Sequence, residues 1–268
     1  MGFIYRSVKP YDIDDFERLS EEEFTYPQPM WIPEKGFVFT FTRYTNGREL
    51  YWNTYDAKRG SWSEVRQLAG MGGHYQITEA KNEKVITAFN MHPDGIVDKR
   101  TNLYFLQTSD FGQTWQTIQG ETIALPLTDP DCSARVRDYR SEGRLVYLKD
   151  IAFDSEDRPV ILYLTSAFHQ PGPEGDPRIW TVAHWVEDQW RFHEVTQSTH
   201  NYDMGSLYIG ADGTWDILAP TEPGPQYHGA GGEVALWTSA NQGVSWMKVR
   251  NVTHRSDRNH NYVRRPVN

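Results

Sequence analysis

Of the nine histidines in this 268-residue chain, His74 and His92 have the spacing best suited to chemistry. They bracket one expected two-strand hairpin, so their side chains can converge. Histidine titrates near neutral pH and carries a proton in either direction. Arg137 and Tyr139 follow in the loop that leads to the next expected strand group, within plausible reach of the pair. Arginine clamps a carboxylate through two parallel hydrogen bonds. Such a set can run β-elimination on a uronate sugar. One group neutralises the carboxylate and so acidifies the neighbouring C–H. A second removes that proton, and a tyrosine or histidine protonates the leaving oxygen. The plainer reading of Tyr139 is packing, and Arg135, Arg137 and Arg140 read equally as a solvated basic loop.

Further candidates are weaker. His200-Asn201-Tyr202-Asp203 has its form repeated in His260-Asn261-Tyr262, and Arg264 and Arg265 then enter an expected inner strand. His200, Tyr202, Arg264 and Arg265 read either as substrate-binding side chains or as hydrogen-bond networks between repeats. Lys149-Asp150 reads as a buried ion pair. Tyr75 and Trp180 can stack on sugar rings, although core packing is the commoner fate of such residues. Cys132 is the only cysteine, which excludes an intrachain disulfide framework and a multi-cysteine zinc site. No cofactor is implied. Dispersed His and Asp can hold a structural ion, but no short ligand motif identifies one.

The elements that must position these residues are strands. The chain carries ten Trp, fifteen Tyr and twelve Phe, residues that favour pleated, half-buried surfaces. Thr108-Ser109-Asp110-Phe111-Gly112-Gln113-Thr114-Trp115 matches the Asp-box pattern S/T-x-D-x-G-x-T-W. Looser copies start at Thr54 and Thr238, and Val186-Glu187-Asp188-Gln189-Trp190 is a shortened one. In each box Asp or Asn caps a tight turn, Gly takes a conformation closed to other residues, and Trp packs beneath. Between boxes the strand pattern recurs, near 25–32, 37–44, 49–55 and 63–69, then 74–80, 84–90, 102–108 and 115–119. It continues near 145–153, 159–165, 178–185 and 190–196, then 203–209, 215–220, 233–239 and 246–252. Four-strand units at this period predict an all-β propeller of antiparallel blades. Residues 3–7 and 16–20 resemble strands three and four of a blade, and 260–267 resemble strand one. The expectation is therefore a single propeller domain over 1–268. It has four full blades plus a composite fifth, or is part of a seven-bladed ring.

This topology sorts the histidines. The start of strand one and the end of strand two share one face of the ring, opposite the Asp-boxes. His74, His200, His254 and His260 lie at or before a strand one, and His92, His169 and His228 follow a strand two. The insertions at 91–100, 166–177 and 221–232 open on the same face. A net charge of −9 argues against nucleic acid, which requires clustered cations. An anionic sugar can still bind a local Arg/His pocket. No apolar run is long enough to span a bilayer, and the first residues lack a signal-peptide core, which leaves the compartment open.

Several segments carry a resemblance. Gly73-His74-Tyr75-Gln76, Arg100-Thr101-Asn102-Leu103-Tyr104, Val160-Ile161-Leu162-Tyr163-Leu164-Thr165-Ser166, His200 through Tyr208, Ala219 through Pro225 and Arg264 through Asn268 resemble the BNR-repeat family of bacterial glycan-utilisation proteins. That family is similar to the seven-bladed propellers of ulvan lyases and of rhamnosyl-glucuronate hydrolases and lyases. The resemblance implies action on rhamnose- and uronate-containing acidic polysaccharides, in a periplasmic or extracellular setting. In ulvan lyases a His pair and a Tyr, with an Arg, carry the chemistry, and His74, His92 and Tyr139 fall at comparable spacing. The family's members extend beyond both ends of this sequence. A polysaccharide lyase is thus the leading expectation. A rhamnosidase- or sialidase-like glycoside hydrolase and a non-catalytic glycan-binding propeller are the alternatives. Ordinary hydrolases need paired carboxylates, and a sialidase needs three arginines around one carboxylate; neither set is recognisable.

Overall fold

The structure is a computed structural model that describes residues 1–264. It consists of antiparallel sheets, four of them built as propeller blades. An N-terminal hairpin, β1 (Gly2–Ser7) and β2 (Phe16–Glu22), comes first. Blade 1 holds β3 (Thr25–Ile32), β4 (Gly36–Thr45) and β5 (Gly47–Asp56), with β6 (Ser61–Trp62) and β7 (Arg66–Ala69) sharing the outer position against β5. Blade 2 holds β8 (Gln76–Lys81), β9 (Lys84–Met91), β10 (Thr101–Thr108) and β11 (Arg135–Arg137). Blade 3 holds β12 (Leu145–Phe153), β13 (Pro159–Ser166), β14 (Arg178–Val186) and β15 (Gln189–Ser198), and blade 4 β16 (Ser206–Ile209), β17 (Trp215–Glu222), β18 (Glu233–Ser239) and β19 (Met247–Asn251).

The innermost strands β3, β8, β12 and β16 pack against one another in that order, which sets the blades around an axis. Strands β10 and β13 are buried along their whole length. They lie between neighbouring blades, which is why their central residues, Leu103–Leu106 and Val160–Leu164, are apolar on both faces rather than alternating. Three apolar clusters fill the spaces, with Trp52 and Trp115 between blades 1 and 2 and Trp180 and Trp215 between blades 3 and 4.

The Asp-box turns follow their expected mechanism. Asp110 accepts from Thr114 N at 3.0 Å and from Thr114 Oγ1 at 2.7 Å, and Thr108 Oγ1 takes Gly112 N at 3.1 Å. Burial alone would raise the Asp110 carboxyl, but these hydrogen bonds outweigh it and hold it below its ordinary range. In blade 4 Asn241 accepts from Ser245 N at 3.0 Å, and Gly243, at φ +81°, lies on the face of Trp215. A Cβ at Gly243 would stand 2.8 Å from Trp215 Cζ3. We expect Gly243→Ala to destabilise the fold by about 1–3 kcal/mol, through left-handed strain and this contact, read as a lower urea midpoint.

Two expectations change. The outer strand of blade 2 is Arg135–Arg137, not 115–119. Gln116 exchanges two hydrogen bonds with Gln107, of 2.9 and 2.8 Å, and Thr117 then turns the chain away by donating to Glu121 O. The buried Trp115 is committed to the core, so the pairing ends there. Second, β1 and β2 pair as expected, yet among the described residues 260–264 do not pair with them. His260 instead exchanges hydrogen bonds of 2.8 and 3.0 Å with Gly232 of blade 4, and Val263 N donates to Met204 O at 3.1 Å. Residues 265–267 of the expected closing strand lie outside the described residues.

Candidate functional site

Strand β8 begins and β9 ends at one face, so His74 and His92 are brought side by side. His92 N donates to Gly73 O at 2.8 Å, and Gly73, at φ +153°, lies so close that a Cβ would stand 2.8 Å from His92 Nδ1. His74 is wholly buried and both its ring nitrogens are used. Nε2 accepts from Met71 N at 3.2 Å, which places the proton on Nδ1, 2.7 Å from Asn90 O. Burial pulls its pKa down to about 4. This imidazole is a neutral brace for the loop, with no nitrogen left for a ligand.

That brace makes a prediction about stability. The folded state keeps His74 neutral down to about pH 4, whereas the unfolded chain takes up a proton near 6.5. The stabilisation is therefore full above about pH 6.5 and is lost as pH falls toward about 4, on the order of 2 kcal/mol for His74 alone by about pH 5. His92 and His200 are depressed in the same direction, and Asp203, pushed up by burial, opposes them. We expect the urea midpoint to fall between about pH 7 and about pH 5; a flat midpoint would contradict the assignment.

His92 differs from His74. It is buried, but its Nε2 has no partner among the described residues, a rarity for a buried polar atom. Burial, then the charges of Arg100, His74 and Arg48, pull its pKa down to about 3. It is a neutral imidazole facing two cations.

Those cations are held by tyrosines. Arg48, at the start of β5, donates to Tyr75 Oη at 2.8 Å and lies 4.6 Å from the ring centroid of Tyr44 and 4.9 Å from that of Tyr26. Arg100, just before β10, donates to Tyr202 Oη at 2.9 Å and lies 4.6 Å from the Tyr147 ring and 4.9 Å from the Tyr75 ring. The Tyr75 ring meets His92 edge-on at 4.9 Å. Among the described residues no carboxylate pairs with Arg48 or Arg100, and Arg48 Nε is buried without a partner. Burial, followed by Tyr26, raises the Tyr75 hydroxyl, so it stays protonated. Tyr26, Tyr44 and Tyr202 are exposed at the edge of the cluster. The edge of the cluster is thus exposed, while its two cations lack a carboxylate partner among the described residues.

The blade 3–4 side continues the polar face. Burial pulls Lys149 down to about 7, against the charge of Asp203, and its Nζ donates to Asn201 O at 2.7 Å. Asp150, in contrast, accepts from Leu207 N at 2.8 Å. The adjacent pair expected from sequence thus has its two members directed to different partners. His200 accepts from Tyr202 N through Nδ1 at 3.1 Å, and burial, then Arg178 and Lys149, bring its pKa to about 4. Tyr202 joins the Arg100 cluster, whereas Arg264 donates to Lys149 O at 2.5 Å and so ties the C-terminal segment to an inner strand. Arg265 lies outside the described residues. Among those described, no group of three or more His, Cys, Asp or Glu could hold a metal, and no helix is long and apolar enough to cross a membrane.

A family profile described as BNR repeat-containing family member matches residues 2–198. The chain belongs to this family. No curated protein matches it. Among solved structures, this BNR-repeat chain is similar to an ulvan lyase described as a new family of polysaccharide lyase, with TM-score 0.74 and 14% identity over 92% of this chain and 60% of that one. The ulvan lyase bound to -[GlcA(1-4)Rha3S]- gives 0.73, again at 14%, with the same coverage. Trypanosoma rangeli sialidase in complex with sialic acid gives 0.52 at 10%, over 93% of this chain and 42% of that one. The chain thus spans 60% of the ulvan lyase's length. At these identities the likeness establishes the propeller fold, and these structural relatives act on carbohydrates.

Tyr139 and Arg137 stand apart from the histidine pair of the BNR-repeat chain. The Tyr139 hydroxyl is buried 2.6 Å from that of Tyr163, and Arg137 makes two hydrogen bonds to Glu142, of 2.8 and 3.0 Å. Arg137 ends β11, the outer strand of blade 2, and Tyr139 follows it, so the loop expected to reach the axis lines a cavity toward the rim. Arg48 and Arg100 were not singled out as site residues from sequence. A signal for them exists: each stands at the start of a strand three, and that position belongs to the same face as the end of strand two.

Proposed function

We propose that this chain is a polysaccharide lyase acting by β-elimination on a uronate-containing acidic glycan. The observation that carries this reading is the buried, neutral His92 with an unpartnered Nε2, beside two arginines that lack carboxylate partners. Arg48 and Arg100 would take the uronate carboxylate and so acidify the C5–H. His92 Nε2 would accept that proton. The C–H electron pair becomes the C4–C5 double bond as the C4–O bond breaks, and the leaving oxygen takes a proton from the Tyr75 hydroxyl, which Arg48 orients. His74 holds the loop that presents His92 and takes no proton itself. The exposed rings of Tyr26, Tyr44 and Tyr202 would guide the neighbouring sugars. The side chains stacked on or beside His92, Arg48 and Arg100 are tyrosines rather than the paired carboxylates of a hydrolase. Such a polymer is also the ligand type seen in the ulvan lyase.

Mass spectrometry of products from a glucuronate–rhamnose polymer tests this. Elimination products are lighter by one water than hydrolysis products of the same length. The former are expected. Hydrolysis products, or binding without any product, would overturn the reading.

A further inference from the structure

Propeller blades splay outward, so gaps open between their outer strands. One such gap, between blades 2 and 3, is a cavity of about 330 Å³, at the lower end of the volumes typical of small-molecule sites. Its wall is made by Tyr139 and Phe192, with the Arg137 guanidinium 4.6 and 4.9 Å from their ring centroids. Glu142 fixes that guanidinium through two hydrogen bonds of 2.8 and 3.0 Å. Arg144 enters from the side, donating to Pro177 O at 2.7 Å, and Glu194 lines the cavity with Thr181 and Ile179.

The charges here differ from those at the axis. Two arginines face two glutamates, so an anion gains nothing by entering. Planar guanidinium and carboxylate groups instead match pairs of ring hydroxyls, and Phe192 and Ile179 match the C–H face of a pyranose. The Tyr139 hydroxyl is already engaged by Tyr163, so this residue is part of the wall and supplies no proton. The loop of 138–144, the end of β13 and the start of β14 place the opening on the same face as His92. We propose that this rim cavity is a second, non-catalytic saccharide site that takes a neutral pyranose ring.

Saturation-transfer NMR on the full chain tests this with methyl glycosides of rhamnose, xylose, glucose and galactose, and with glucuronate as the anionic control. At least one neutral glycoside is expected to bind. Its signal should fall about tenfold or more in Phe192→Ala and in Glu194→Gln, and persist in His92→Gln. Glu194 is exposed, so its variant keeps the fold. Binding of none of the four, binding that survives both rim variants, or binding lost in His92→Gln would each overturn the proposal. The rim site does not rest on the lyase reading. A chain that forms no elimination product but shows this pattern retains the rim site, and a lyase without it loses only the rim site.

Discussion

Replacing His92 by Gln is expected to lower kcat on an acidic glycan by about 10²- to 10⁴-fold, with KM little changed. Gln fills similar space and leaves Arg48 and Arg100 in place, so carboxylate binding survives while the proton acceptor is lost. The low pKa of His92, about 3, gives this prediction a second arm. A base must be neutral to work, and His92 is neutral above about pH 3, while the proposed acid Tyr75 stays protonated because burial raises it. The kcat/KM profile, which reports the free enzyme, should therefore show no His92 inflection between about pH 5 and about pH 8. When a carboxylate binds, it offsets the charges of Arg100 and Arg48 that help to depress His92. Under the proposed mechanism the imidazole would then be a stronger base with substrate bound than without it. An inflection near the ordinary histidine value in kcat/KM, absent from His92→Gln, would place the base in a different environment from the one described.

Arg100→Ala is expected to cost about 10²- to 10³-fold in kcat/KM, because it removes a donor aimed at charge that grows in the transition state. Arg100→Lys should not restore the activity. The guanidinium lies near three tyrosine rings and donates to both Val97 O, at 2.9 Å, and Tyr202 Oη, a geometry an ammonium does not reproduce. Arg100 is buried, so thermal unfolding must accompany the kinetics. Arg48→Ala is the companion variant, since Arg48 is only partly buried and its loss disturbs less packing. Activity equal to the parent in both variants would remove the carboxylate clamp from the account.

Much of this architecture is written in local chemistry. Asp110, Gly112 and Trp115 form their box through hydrogen bonds and φ values that depend on a few adjacent residues, so the turn is readable where it stands. The alternation of strands and turns then assigns faces, and it sets the start of β8 beside the end of β9, where His74 and His92 stand. The differences arise where long-range contacts decide. Trp115 is buried between blades, and that burial, not strand propensity, ends the pairing at Gln116 and moves the outer strand to Arg135–Arg137. The shift carries Arg137 and Tyr139 toward the rim. Likewise, His74 and His92 look equivalent in sequence. Only the positions of Met71 N and Asn90 O make one a brace, while the other keeps a buried nitrogen without a partner. Arg48 and Arg100 belong to different blades and share a site only because the blades pack around one axis.

The most direct test of the central claim is the ultraviolet absorbance of the conjugated, unsaturated uronate during incubation with a glucuronate–rhamnose polymer, followed in parallel for the parent chain and His92→Gln. A rise with the parent that is abolished in the variant is the predicted result. New reducing ends without that absorbance, or an undiminished rise in His92→Gln, would contradict it.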